Sequence, residues 1–143
     1  MGSDLKVGDV MTKDVIVASA DESIESVARL MEEHSIGSVI VVDQKEKNNA
    51  QGIITERDIV YKVVAKKKDA EKLKAEHIMS KPLRVVTPDT TLEHAAMAMK
   101  EHQIKRLPVV NEKKELVGIL SEGDIMRVFP SVIDLVEERA SLR

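Results

Sequence analysis

The chain has no cysteine and no tryptophan, and its only aromatic residues are Tyr61 and Phe129. Without cysteine there is no disulfide and no thiol chemistry, which is consistent with a reducing compartment. Two aromatics cannot build the stacking platform that holds single-stranded nucleic acid. No charge of one sign dominates: 22 Lys and Arg stand against 25 Asp and Glu, a net charge of −3. That balance makes no field to attract nucleic acid or an acidic membrane. No apolar run approaches the roughly 18–20 residues of a membrane span. The opening MGSDLKVGDV lacks the apolar core of a signal peptide. These absences give the expectation of a cytoplasmic protein with neither a nucleic-acid nor a membrane partner. What is present is a chain of 143 residues, 43% hydrophobic and 33% charged, long enough to bury a core.

The chain repeats itself. MTKDVIVASADESIESVARLMEEHSIGSVIVVD (11–43) lies over MSKPLRVVTPDTTLEHAAMAMKEHQIKRLPVVN (79–111), with Met11/Met79, Lys13/Lys81, Asp21/Asp89, His34/His102 and Ile36/Ile104 identical. GIITERDI (52–59) then lies over GILSEGDI (118–125), after a loop two residues longer in the first copy. Self-similarity of this kind determines the architecture, since each copy must form the same unit.

Each copy parses alike. A β-branched run comes first, Val15-Ile16-Val17 and then Val85-Val86. A helix follows, with Ile24, Val27, Ala28 and Met31, and Leu92, Ala95, Ala96 and Met99, at i, i+3, i+4, i+7. Thr90 with Glu93 reads as a capping box opening the second of these helices. An apolar strand (39–42; 107–110), a polar turn, a second strand (52–55; 116–121) and another helix (57–64; 124–129) complete the unit. Residues 63–78 form a charged, partly helical connector, and 131–143 read as a C-terminal helix outside the repeat. Strands apolar on both faces require cover from helices. The expected fold is therefore α/β: two β-α-β-β-α repeats, 7–66 and 75–129, packed as a pseudo-two-fold pair, followed by the segment 130–143.

The repeated Thr55-x-x-Asp58 and Ser121-x-x-Asp124 admit two readings. As a helix start, the hydroxyl accepts from the third amide and the acid favours the positive end of the dipole. As a site, the carboxylate offers two oxygens at a strand-to-helix junction, where a vicinal diol such as a ribose could donate charge-assisted hydrogen bonds. The readings agree on the hydroxyl and compete for the acid.

The doubled β-α-β-β-α pattern, its G-I-hydrophobic-T/S-x-x-D-I endings and the IKRLPVV strand resemble a tandem pair of cystathionine β-synthase (CBS) domains, a Bateman module, over about residues 7–129. The resemblance implies a regulatory module that binds adenosine derivatives between its repeats and changes conformation toward a protein target. Nothing is left over to form a catalytic domain, so no enzymatic activity is expected, and no cofactor beyond the ligand, an adenine nucleotide such as AMP, ADP or ATP. By the same resemblance, one site has Thr55 and Asp58 on ribose, Leu83 and Arg84 along adenine, and Lys105, Arg106 and Pro108 toward phosphate. The other has Ser121 and Asp124 on ribose and Val15 and Ile16 at the base. There Gly37 and Ser38 replace Lys105 and Arg106, and Arg57 could supply charge from the other side. Phosphate recognition favours Arg and Lys, so the first site suits a nucleotide better, and the second a less charged adenosyl ligand or none. The alternatives are a dimerising structural or interaction module without ligand, and an S-adenosylmethionine sensor. Family pairs associate through their helices, so a homodimer is expected.

Other residues carry bland readings. His34 and His102 suit helix C-termini as cations rather than metal ligands. The run AKKKDAEK reads as a solvated face, and the seven methionines as core and helix packing. No nucleophile–base pair or glycine-rich phosphate loop is present, which disfavours a phosphoester hydrolase.

Overall fold

The computed structural model describes residues 5–81 and 84–128. In chain order its elements are α1 (Val7–Val10), β1 (Val17–Ser19), α2 (Ile24–His34), β2 (Ser38–Val42), β3 (Ala50–Thr55) and α3 (Glu56–Asp58). A π-helix follows directly (Ile59–Val64), then α4 (Ala75–Ile78), α5 (Leu92–His102), β4 (Arg106–Val110), β5 (Leu116–Ser121) and α6 (Glu122–Val128). The α/β class and the repeated order of elements are as expected. The C-terminal segment read as a helix lies outside the described residues, as do Leu83 and Phe129.

The chain forms two compact units, and each is discontinuous. One holds Asp14–Arg84 with Lys113–Leu116. The other holds the N-terminal stretch through Lys13, Val85–Glu112 and the chain from Val117. The core of the first joins Ala18, Ile24, Val27, Val39, Val41 and Ile54 to Ala75 and Ile78 of α4. The core of the second joins Leu92, Ala95, Leu107, Val109 and Leu120 to Val7 of α1. Each unit is thus completed by the short helix that precedes the other copy in sequence.

In the first unit β1 runs parallel to β2, and β2 antiparallel to β3, in the order β1-β2-β3. All five residues of β2 are buried, and Val39–Val42 form the continuous apolar run of a strand covered on both faces. In the second unit β4 pairs with β5. Here the leading strand shrinks to one parallel bridge, Val86 to Val109. Pro108 occupies the place of Ile40 and has no N–H to extend the ladder. The expected strand Val15-Ile16-Val17 instead begins at Val17, so Val15 and Ile16 lead into it as half-buried residues.

Of the expected stripes, α2 and α5 bury Ile24, Val27 and Met31, and Leu92, Ala95 and Met99, while Ala28 and Ala96 are half-buried. The cap of α5 is Thr91, not Thr90: the Thr91 hydroxyl accepts from the His94 N–H at 3.2 Å. Thr90 Oγ1 turns the other way and accepts from the Thr87 N–H at 3.1 Å. Ser23 caps α2 at the equivalent place, accepting from Ser26. Both helices end in a left-handed residue, Ser35 (φ 53°) and Gln103 (φ 54°). His34 and His102 sit in the last turns, as basic residues at the negative end of the helix dipole.

In the turn after β2, Asp43 accepts from the N–H groups of Lys45 and Glu46 and from Gln51. The Glu46 and Lys45 amides hold its carboxyl below the usual range. No helix among the described residues is long and apolar enough to cross a membrane.

Candidate functional site

Thr55 ends β3 in extended geometry, and the next residue turns into helix. Its hydroxyl accepts from the Asp58 N–H at 3.2 Å, while Asp58 Oδ2 accepts from the Thr55 N–H at 2.9 Å. Both halves of a capping box are therefore in place, and two orphan donors of the helix start are satisfied. The Thr55 hydroxyl also lies 3.2 Å from Oδ2. The other oxygen, Oδ1, accepts from Ser80 Oγ at 3.2 Å and from Lys62 Nζ at 2.9 Å. Asp58 is 7% exposed.

The second copy repeats this arrangement. The Ser121 hydroxyl accepts from the Asp124 N–H at 3.2 Å, and Asp124 Oδ2 accepts from the Ser121 N–H at 2.9 Å. Oδ1 accepts from Thr12 Oγ1 at 3.2 Å and from the Arg127 guanidinium. Asp124 is 3% exposed.

Ser80 and Thr12 are the residues that reading the motif alone misses. Each is seated by main-chain bonds on a strand of its own unit: Ser80 N–H to the Ile53 carbonyl at 2.8 Å, Thr12 N–H to the Ile119 carbonyl at 2.9 Å. That places a hydroxyl beside the carboxylate. The signal was in the repeat, Met11-Thr12-Lys13 against Met79-Ser80-Lys81, although nothing local showed which aspartate each would meet. Lys62 and Arg127 were also missed, and for a better reason: they do not correspond in the repeat. Lys62 reaches its aspartate from i+4 and Arg127 from i+3.

The paired glycines and methionines have one explanation. A Cβ on Gly52 would lie 2.8 Å from Met79 Sδ and 2.9 Å from its Cγ, and one on Gly118 would lie 2.6 Å from Met11 Sδ. The Met-Ser/Thr segment lies flat on the strand, and only glycine leaves it room.

The other expected site residues fall as follows. Gly37 and Ser38 share the first unit with Thr55 and Asp58: the Gly37 carbonyl accepts from the Glu56 N–H at 3.1 Å, and Ser38 stands opposite Thr55 in the ladder. Ser38 is 6% exposed, and its buried hydroxyl has no hydrogen-bond partner. Val15, Ile16, Arg57 and exposed Arg84 belong to the same unit. The Arg57 guanidinium lies 5.7 Å from the centre of the Tyr61 ring, a cation–π distance. Lys105, Arg106 and Pro108 share the second unit with Ser121 and Asp124. The Lys105 carbonyl accepts from the Glu122 N–H at 3.0 Å. Lys105 is exposed, Arg106 half-buried and Pro108 buried. Among the described residues no three His, Asp or Glu side chains gather as a metal site would require.

Two α/β units of one repeated element order, each with a buried aspartate boxed into a strand-to-helix turn, define the class: a duplicated β-α-β-β-α module. The chain belongs to the CBS domain family, whose model matches residues 7–65 and 75–131. It is 40% identical over 134 residues to an uncharacterised protein of Methanopyrus kandleri, covering 94% of this chain and 67% of that one. It resembles the solved CBS domain pair of protein MJ0100, in complex with 5′-methylthioadenosine and S-adenosyl-L-methionine. That likeness has a TM-score of 0.77 and 31% identity, over 88% of this chain and 96% of that one. The CBS domain protein PAE2072 from Pyrobaculum aerophilum, solved with AMP, superimposes with a TM-score of 0.81, over 93% of this chain and 99% of that one. Its identity is 23%, a likeness of fold.

Proposed function

We propose that this chain is a regulatory module that binds an adenosyl ligand, with Asp58 and Asp124 as ribose acceptors, and that it works by shifting a conformational equilibrium rather than by catalysis. The observation that carries this reading is the doubled, buried carboxylate. An acid that serves only a helix dipole does so from the surface, as exposed Glu56, Glu93 and Glu122 do in the first turns of their helices. Asp58 and Asp124 are instead drawn inside and held from several sides, the preorganisation a ligand acceptor needs. The adenosyl ligands of the MJ0100 pair support the ligand class.

Among adenosyl ligands, we favour an adenine nucleotide, AMP or ATP. Lys105, just before β4, and Arg106, its first residue, are a pair of cations suited to phosphate, and Leu83 and Arg84 remain our assignment along the base. A ligand that binds one arrangement better than another moves the population toward it. At about 100 times Kd it adds roughly 2.7 kcal/mol of stability. A protein target would read that change.

Calorimetric titration against AMP, ATP, S-adenosylmethionine and NAD tests the reading directly. Asp58→Ala should weaken binding roughly ten- to a hundredfold, the loss of one or two charge-assisted bonds. Because Asp58 also closes the capping box, the variant loses stability under either reading of the motif. Affinity is therefore the deciding quantity, and an unchanged affinity would sink the ribose assignment.

A further inference from the structure

Asp58 has no vacant acceptor site. A carboxylate offers about four lone-pair positions. The Thr55 N–H and hydroxyl lie on Oδ2, and Lys62 and Ser80 lie on Oδ1. A ligand diol can enter only by displacing one of these. The Thr55 N–H belongs to the start of α3 and cannot leave without unwinding it. Lys62 can leave: its side chain is 44% exposed, against 10% for Asp58. Its ammonium is also bonded to the Ile78 carbonyl at 2.9 Å and lies 3.5 Å from Ser80 Oγ. A second, independent placement repeats the arrangement, since Asp124 is covered by Arg127, which stands where the first repeat has Tyr61 and not at the place of Lys62.

We propose that Lys62 is a specificity-determining residue: the resident counter-ion of Asp58, which competes with an entering ligand for the carboxylate and so selects anionic over neutral adenosyl ligands. This rests on the ribose role of Asp58 given above. A neutral nucleoside exchanges a charge-assisted ammonium–carboxylate bond for a weaker hydroxyl–carboxylate one and leaves the ammonium with no anion. A nucleotide makes the same exchange, but its phosphate gives the displaced ammonium a new anion on a flexible four-carbon stem. The selection lies in that difference.

The test compares AMP with adenosine by calorimetry in proteins carrying Asp124→Asn, so that one site is read, with and without Lys62→Met. Removing the ammonium should strengthen adenosine binding by about tenfold and narrow the AMP-to-adenosine ratio by at least as much, the scale of one partly exposed ion pair with its hydrogen bond. Lys62→Gln, which keeps an N–H for the Ile78 carbonyl, gives the same comparison if Lys62→Met does not fold. Binding of adenosine only once Lys62 is replaced would support the block in its strongest form. An unchanged ratio, or weaker adenosine binding, overturns the role of Lys62 while leaving the adenosyl reading intact. Binding of neither ligand to any of these proteins overturns both.

Discussion

At the scale of single residues, the two copies differ most where β2 and β4 begin. Arg106 and Lys105 stand in the second copy where Ser38 and Gly37 stand in the first. A guanidinium can clasp phosphate with two parallel bonds, whereas a serine offers one neutral donor. Arg106→Ala should therefore weaken AMP and ATP by about tenfold, leave adenosine nearly unchanged, and flatten the salt dependence of nucleotide binding. Calorimetry at two ionic strengths reads all three. Equal losses for AMP and adenosine would mean that Arg106 acts through packing, and the phosphate role of the strand would fall. The buried, unpartnered hydroxyl of Ser38 shows the same asymmetry from the other copy. A polar group buried without a partner is costly, and an apolar side chain of that size would serve the core better.

At the scale of elements, the strand-to-helix turn depends on a contact that the motif does not contain. Met79 lies against Gly52 so closely that a methyl group would meet its Cβ, Cγ and Sδ together. Swinging the thioether end away does not relieve an overlap that begins at Cβ. Gly52→Ala should cost about 1–3 kcal/mol of stability, the usual penalty of overpacking. Met79→Ala in addition should recover part of that loss, a non-additivity expected of touching residues. Urea denaturation of the single and double variants measures it. A Gly52→Ala protein as stable as the parent would show that the segment carrying Ser80 can move off the strand, which would loosen the hold on Asp58. The π-helix that follows is a second such device. Its i+5 bond, Ala65 N–H to the Val60 carbonyl at 2.8 Å, widens the helical turn that follows Asp58. Such turns recur at functional sites.

At the scale of the whole molecule, each unit depends on the short helix that precedes the other copy in sequence. Val7 is fully buried with Leu92 and Leu120, and Ala75 with Ile24 and Ile54. The first unit also leaves Val60, Tyr61 and Val64 at 50%, 58% and 66% exposure along one helical stretch. Apolar residues grouped on a surface in this way mark a place of association. Homodimerisation is the expected outcome, with Val64→Asp shifting the population toward monomer. Light scattering on both proteins checks it, and a monomer mass for the parent across micromolar concentrations would overturn it.

The sequence by itself determined the duplication, the α/β class and the helical stripes, because these rest on local periodicity and on one pattern written twice. It also showed Thr55, Asp58, Ser121 and Asp124 as the residues at the turns, since a hydroxyl and an acid three apart form a helix start wherever they fall. It misplaced what depends on neighbours. Thr91 caps α5 although Thr90 makes an equally good local pattern, because the Thr90 hydroxyl is taken by the Thr87 N–H. The leading strand begins at Val17 rather than Val15, because pairing with β2 and not β-propensity sets its start. Only the tertiary structure decided that Ser80 meets Asp58, that Thr12 meets Asp124, and that α1 and α4 exchange places between the copies. Those contacts join residues as much as 112 positions apart. Local pattern carries no information about them, because they exist only once burial has brought separate segments of chain onto the same strand.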